Sequence, residues 1–164
     1  MHRILIFGNS GSGKSTLAKW FAKEKGMAYL DLDTLAWLPS SPPERAPLSE
    51  SKNKIDMFVN SNSTWVIEGC YTDLLKLSSP RASEAIFMNL SIDQCIENAR
   101  NRPWEPHKYK TKKDQDNNLS MLIEWISQYR KRDDMFSFRS HTKFYESFTG
   151  MKSMRTKNEI PVSC

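Results

Sequence analysis

The sequence predicts one α/β domain built around a parallel sheet. Three observations carry that expectation. Short apolar runs alternate with helix-like stretches along the whole chain. The first run goes straight from apolar residues into a glycine, as buried parallel strands do. The chain is also 164 residues long, 38% hydrophobic and 26% charged. That is the size of one ordinary domain and enough to bury a core without disulfides.

The elements follow in order. Arg3 to Phe7 is a short apolar strand closed by Gly8. Ser15 to Lys25 sets Leu17, Ala18, Phe21 and Ala22 at helical spacing, with Gly26 where a C-terminal cap belongs. Met27 to Leu30 is a second strand, followed at once by "DLD". Four of the eight prolines crowd between Pro39 and Pro47, which predicts a surface loop. Ser49 is placed to cap a helix running to about Asn60. "TWVIEG", Thr64 to Gly69, reads as the third strand and Ala85 to Leu90 as the fourth. Ser91 and Gln94 form a capping box for a helix that ends before Pro103. "PWEPHKYKTKKDQDNN" is polar and broken by proline, so a loop is expected there. From Leu119 onward, Leu122, Ile123, Ile126 and Tyr129 recur at helical spacing. "HTKFYESF" is a last helix, and Met151 to Met154 a short fifth strand. No repeat or low-complexity tract interrupts this order.

Composition excludes several classes. No window approaches the roughly 18 apolar residues of a membrane span. "MHRILIFG" is too short an approach to an apolar run for a signal peptide. Cys70, Cys95 and Cys164 are far apart and make no C-x-x-C pair, so reduced thiols in the cytoplasm are expected. The net charge of +5 and isoelectric point near 9.1 favour phosphate-bearing ligands without selecting among them.

Half of the six glycines lie in "GNSGSGKS", Gly8 to Ser15, which fits G-x-x-x-x-G-K-[ST]. Successive backbone N–H groups can converge on phosphate oxygens only through backbone angles that glycine tolerates. The helix that opens near Gly13 adds free N–H groups and its positive dipole end. Gly8, Asn9, Ser10, Gly11, Ser12, Gly13, Lys14, Ser15 and Thr16 are the expected nucleotide-binding residues. Lys14 reaches the β- and γ-phosphates, Ser15 binds Mg²⁺, and Thr16 lies near the α-phosphate.

Sites of parallel sheets form at the carboxyl ends of the strands. Asp31 and Asp33 follow the second strand and so share that edge with the loop. One can organise Mg²⁺ and the other orient an acceptor hydroxyl. Asp33 is the choice for the acceptor side. Glu68 and Gly69 end the third strand on the same edge; the carboxylate suits Mg²⁺ or the acceptor, and the glycine permits close approach. Trp37, Trp65 and Tyr71 flank these positions and either stack on an acceptor or pack in the core. From Arg100 to Lys113 come Arg100, Arg102, Lys108, Lys110, Lys112 and Lys113, against Glu105. A basic loop of this kind can close over transferring phosphate. Arg100 and Arg102 are its candidates, and the lysines from Lys108 onward read as a solvated run. One of Arg130 and Arg132 can also face the phosphates.

This combination resembles the small P-loop kinases of the nucleoside monophosphate kinase superfamily, which includes adenylate, shikimate and gluconate kinases. "YLDLDTLAW", "WVIEGCYTD" and "NRPW" are similar to the adenylate kinase-related branch called topology modulation proteins. The resemblance runs from Met1 to about Arg155. It implies a three-layer P-loop NTPase fold: a five-stranded parallel sheet in the order 2-3-1-4-5, flanked by helices, with a short lid. The whole chain, 1–164, is then one kinase-like domain, its lid near residues 103–117. MgATP is the implied phosphoryl donor, with Arg100 and Arg102 in the lid. "DLD" is similar to the shikimate kinase motif, which implies Asp31 for magnesium and Asp33 for the acceptor. Two features depart from the pattern. No arginine follows the second strand closely, since Arg45 lies beyond several prolines. The loop that usually lies near adenine, around Arg155 to Lys157, is short.

The expected function is phosphoryl transfer from MgATP to a small-molecule or nucleotide acceptor. The alternative is a nucleotide-dependent regulator of nucleic acid. Against it, no helix-turn-helix, zinc-finger or RNA-binding signature is present. A GTPase is disfavoured, because Asn53-Lys54-Ile55-Asp56 matches the guanine-reading N-K-x-D inside a predicted helix rather than after a strand.

Overall fold

Ile4, Leu5, Ile6 and Phe7 are each no more than 1% exposed, so the first strand forms the centre of the molecule. The computed structural model describes residues 1–160, which leaves Cys164 outside the described residues. Its strands are β1 (Arg3–Gly8), β2 (Ala28–Asp31), β3 (Trp65–Gly69), β4 (Glu84–Met88) and β5 (Met151–Arg155). All pair in parallel, in the expected order β2-β3-β1-β4-β5. The helices are α1 (Lys14–Lys25), α2 (Asp33–Ala36), α3 (Leu48–Ser61), α4 (Thr72–Ser78), α5 (Ile92–Arg100), α6 (Lys112–Ser127) and α7 (Phe138–Ser147).

Side chains alternate across a strand, so β1 feeds two cores. Leu5 and Phe7 pack with Leu35, Ile55, Leu74 and Phe144 on one face. Ile4 and Ile6 pack with Leu17, Ala18, Cys95 and Ile126 on the other. Each buried Leu, Ile or Phe among them contributes roughly 1.5–3 kcal/mol. Trp65, at the start of β3, is wholly buried and belongs to the first core, away from the carboxyl ends of the strands. Among the described residues, no helix is long and apolar enough to cross a membrane.

Several boundaries differ from expectation. Pro47, not Ser49, stands at the N-cap of α3, because its extended backbone turns the chain into the helix. The Asn53–Asp56 match lies inside α3, as read. Ser91 caps α5 by accepting from the Gln94 N–H at 3.1 Å, but the Gln94 side chain turns to Asn98 instead of completing the box. The polar run expected as loop to Asn118 is helical from Lys112. Thr111 Oγ1 accepts from the Asp114 N–H at 3.0 Å, and this cap starts α6 early. The connection from α5 to α6 is therefore shorter than the expected lid. α4 and the single 3₁₀ turn Ser79–Arg81 carried no expectation.

One buried polar contact joins α7, the end of α6 and the end of β3. His141 is fully buried. Its Nε2 lies 2.8 Å from the Cys70 carbonyl oxygen and therefore donates to it, so Nδ1 accepts from the Tyr129 hydroxyl at 2.6 Å. Burial pushes its pKa down to about 4, only partly opposed by the Cys70 bond. The unfolded histidine binds a proton below about 6.5 and the folded one only below about 4, so stability falls as pH drops through that window. His141→Gln removes this slope. Relative to the parent, it should cost about 2 kcal/mol less at pH 5 than at pH 7, measured by urea unfolding at both pH values.

Candidate functional site

β1 runs into the glycine loop, and every glycine in the loop has a steric reason to be there. Gly11 has φ +76°, and a Cβ there would sit 2.3 Å from the Cys95 carbonyl oxygen. Gly13 has φ +85° and forms the N-cap of α1 without any side-chain cap. The first N–H groups of α1 therefore stay free for an anion. Two loop carbonyls are held from outside. Asn98 Nδ2 donates to Gly11 O at 2.8 Å, and Asn158 Nδ2 to Ser12 O at 3.0 Å. Asn158 also accepts from Asn98 at 2.8 Å. Asn9 is buried and donates to Ile126 O at 3.3 Å. Ser12 is fully buried, and its hydroxyl has no protein partner among the described residues. Lys14 Nζ folds back on the loop, 2.8 Å from Asn9 O. Ser10, Gly11, Gly13, Lys14, Ser15 and Thr16 line a cavity of about 720 Å³, while Gly8, Asn9 and Ser12 support it from behind.

Glu68 ends β3 inside the protein, 2% exposed. One of its oxygens accepts from Ser15 Oγ at 2.7 Å and from the Tyr29 hydroxyl at 2.9 Å. Burial, with help from the Asp31 charge, pushes its pKa up to about 7 against the pull of Lys14. Asp31 pairs in register with Glu68 and is itself buried. Burial and the Asp33 charge raise Asp31 above the ordinary carboxylate value. Its Oδ1 accepts from the Asp33 N–H at 2.9 Å, and it does not line the cavity. The carboxylate that touches Ser15 is thus Glu68, not Asp31, because Asp31 is turned back onto its own chain.

Asp33 does line the cavity, with Glu68 and Gly69. Lys108 Nζ lies 2.9 Å from Asp33 Oδ2, and the Tyr71 hydroxyl donates to Oδ1. Burial would raise this carboxyl, but Lys108 and the Tyr71 hydrogen bond outweigh it and hold Asp33 below the usual value. Gly69 is small for a packing reason too: a Cβ would lie 2.9 Å from Leu32 Cβ.

The basic segment divides. Arg102 lines the cavity and pairs with Glu105 at 3.1 Å. Arg100, the last residue of α5, is exposed and borders a small crevice with Gln115, Asp116 and Leu119 instead. Arg102 borders that crevice as well, so of the two arginines only Arg102 reaches the cavity. Lys108, expected in a solvated run, holds Asp33; nothing in the local pattern separates it from its basic neighbours. Neither Arg130 nor Arg132 lines the cavity. Arg130 is exposed and stacks 4.0 Å over Phe138. Arg132 stacks 3.6 Å over Trp125 and donates to its carbonyl at 2.6 Å. Trp37 and Tyr71 face the cavity, as do Trp125 and Phe136, which the helical-stripe reading passed over. Asn98 and Asn158 were missed as well, since no motif marks them. Asn158, Glu159 and Ile160 line the cavity just beyond the expected Arg155–Lys157 segment.

No protein-family model matches the chain, and no curated protein sequence does. Solved structures do. TT1252 from Thermus thermophilus is similar at a TM-score of 0.54 and 14% identity, covering 96% of this chain and 91% of that one. Shikimate kinase from Acinetobacter baumannii in complex with shikimate is similar at 0.52 and 12% identity, covering 97% and 86%. The strand order, the loop after β1 and these likenesses agree: the chain has the P-loop kinase fold.

Proposed function

We propose that the protein transfers the γ-phosphoryl group of MgATP to a hydroxyl group of a small-molecule or nucleotide acceptor. The observation that carries this reading is the single cavity that Lys14, Ser15 and an ionised Asp33 share. In the transfer, the acceptor oxygen forms a bond to the γ-phosphorus. The bond from that phosphorus to the β–γ bridging oxygen breaks, and the acceptor proton passes to Asp33. The loop from Gly8 to Thr16 cradles the phosphates, and Lys14 leaves Asn9 O to meet the one that moves. Arg102 and Lys108 supply positive charge from the lid side. Arg100, outside the cavity, has no part in this reading.

Magnesium, when bound, would neutralise charge on the phosphates. Among the described residues, no cluster of three or more His, Cys, Asp or Glu side chains forms a metal cage. Magnesium needs none here, because it keeps most of its waters and takes few protein ligands. The Ser15 hydroxyl fits as a direct ligand, with Glu68 and Asp31 behind it. A cytoplasmic setting suits both the ATP requirement and the free thiols of Cys70 and Cys95.

Three outcomes test the reading. Lys14→Ala should lower kcat roughly 10²–10³-fold with little change in Tm, measured by ATP consumption and thermal unfolding; turnover at the parent rate would refute phosphoryl transfer through this loop. Glu68 binds its proton more tightly folded than unfolded, so its contribution to stability is lost as pH rises from about 4.5 to about 7. Glu68→Gln should therefore stabilise the ligand-free protein by about 2 kcal/mol at pH 8 and far less at pH 5, while lowering magnesium-dependent turnover. Lys108→Ala should reduce kcat/KM more than tenfold. Because Lys108 holds Asp33 low, the acidic limb of the pH profile should also move to higher pH in that variant.

A further inference from the structure

The acceptor half of the cavity has a chemistry of its own. Four rings that line it, Trp37, Tyr71, Phe136 and Trp125, follow one another edge to face. Their centroids are 6.5, 5.3 and 5.5 Å apart in that order. The two end rings, Trp37 and Trp125, are 41% and 38% exposed. Large apolar rings left open in a cavity, beside a few placed polar groups, are the usual lining of a site for a flat ligand.

Two arginines stand behind this wall. Arg45 lies 5.7, 5.0 and 5.9 Å from the Trp37, Tyr71 and Phe136 rings. It pairs with Asp73 at 2.9 Å and does not line the cavity. Arg132 is stacked against Trp125 and is likewise absent from the lining. The charged lid-side groups that do line it are Asp33, Glu105, Arg102 and Lys108, two of each sign. They pair with one another: Lys108 with Asp33 at 2.9 Å, Arg102 with Glu105 at 3.1 Å. Lys108 also lies 3.5 Å from Glu105, so the four charges form one closed network, balanced two against two, that offers an anionic acceptor no unpaired cation on this side.

Resting on the phosphoryl-transfer reading, we infer that the acceptor is an uncharged compound with a planar aromatic ring and a free hydroxyl group. The ring lies along the Trp37–Trp125 wall, and the hydroxyl reaches Asp33 Oδ2 as Lys108 turns to Glu105, 3.5 Å away.

The test is direct binding in the presence of magnesium and a non-hydrolysable ATP analogue, read by calorimetry and tryptophan fluorescence. The probes are thymidine, adenosine and 4-pyridylmethanol, against thymidine monophosphate, AMP, shikimate and gluconate. At least one uncharged ring compound should bind ten times more tightly than every anionic probe and quench tryptophan emission. Trp37→Ala should weaken that binding at least tenfold, Trp37→Phe should largely keep it, and both should bind the ATP analogue as the parent does. Tighter binding of any anionic probe would overturn the inference, as would no binding of any uncharged ring compound. Either result would leave phosphoryl transfer standing, because that reading is tested by the turnover of the Lys14, Glu68 and Lys108 variants.

Discussion

One buried carboxylate oxygen holds three elements of the site together. Glu68 Oε1 takes a hydroxyl from Ser15 at the start of α1 and another from Tyr29 on β2. A carboxylate removed from water needs donors, and these two satisfy it. The sheet register makes the meeting possible. Glu68 pairs with Asp31 on one side, and the next residue, Gly69, pairs with Phe7 on the other. A slip of one residue would turn Glu68 to the opposite face and leave both hydroxyls without it. The phosphate loop, the two aspartates and the end of β3 therefore take their positions from a single register.

The carboxylates around the cavity are separated by their surroundings rather than by type. Glu68 meets only hydroxyl donors inside the protein, and burial raises it. Asp33 meets an ammonium group and a tyrosine hydroxyl, and these lower it. Environments that push like groups apart are how one fold assigns different tasks to them. The inner carboxylate holds a proton into the neutral range, and the outer one stays ionised.

Much of this was legible in the chain itself. Alternating apolar runs specified the strands, and the glycine–lysine–serine spacing specified the loop, because both patterns follow from backbone geometry. Asp33, Glu68 and Gly69 were legible because strand ends converge on one edge. What escaped depended on direction or on distance along the chain. Arg100 and Arg102 look equivalent in sequence, yet they share one crevice and only Arg102 also reaches the cavity. Lys108 is one lysine among several until folding sets it against Asp33. Thr111 and Asp114 carried a readable cap, but the proline-rich start of that segment masked it. Trp125 and Phe136 belong to a wall assembled from separate segments, and no local period encodes that.

Asn158 closes this molecule in a way that its topology alone does not require. Its side chain donates to Ser12 O and accepts from Asn98, which itself holds Gly11 O. The first connection of the chain, from β1 to α1, is thus completed by a residue that follows β5. During synthesis from the N-terminus, most of the domain precedes that residue out of the ribosome. Asn158 follows β5 by three residues, so the brace and the last strand leave the ribosome almost together, and the glycine loop gains its full support only as the sheet is completed.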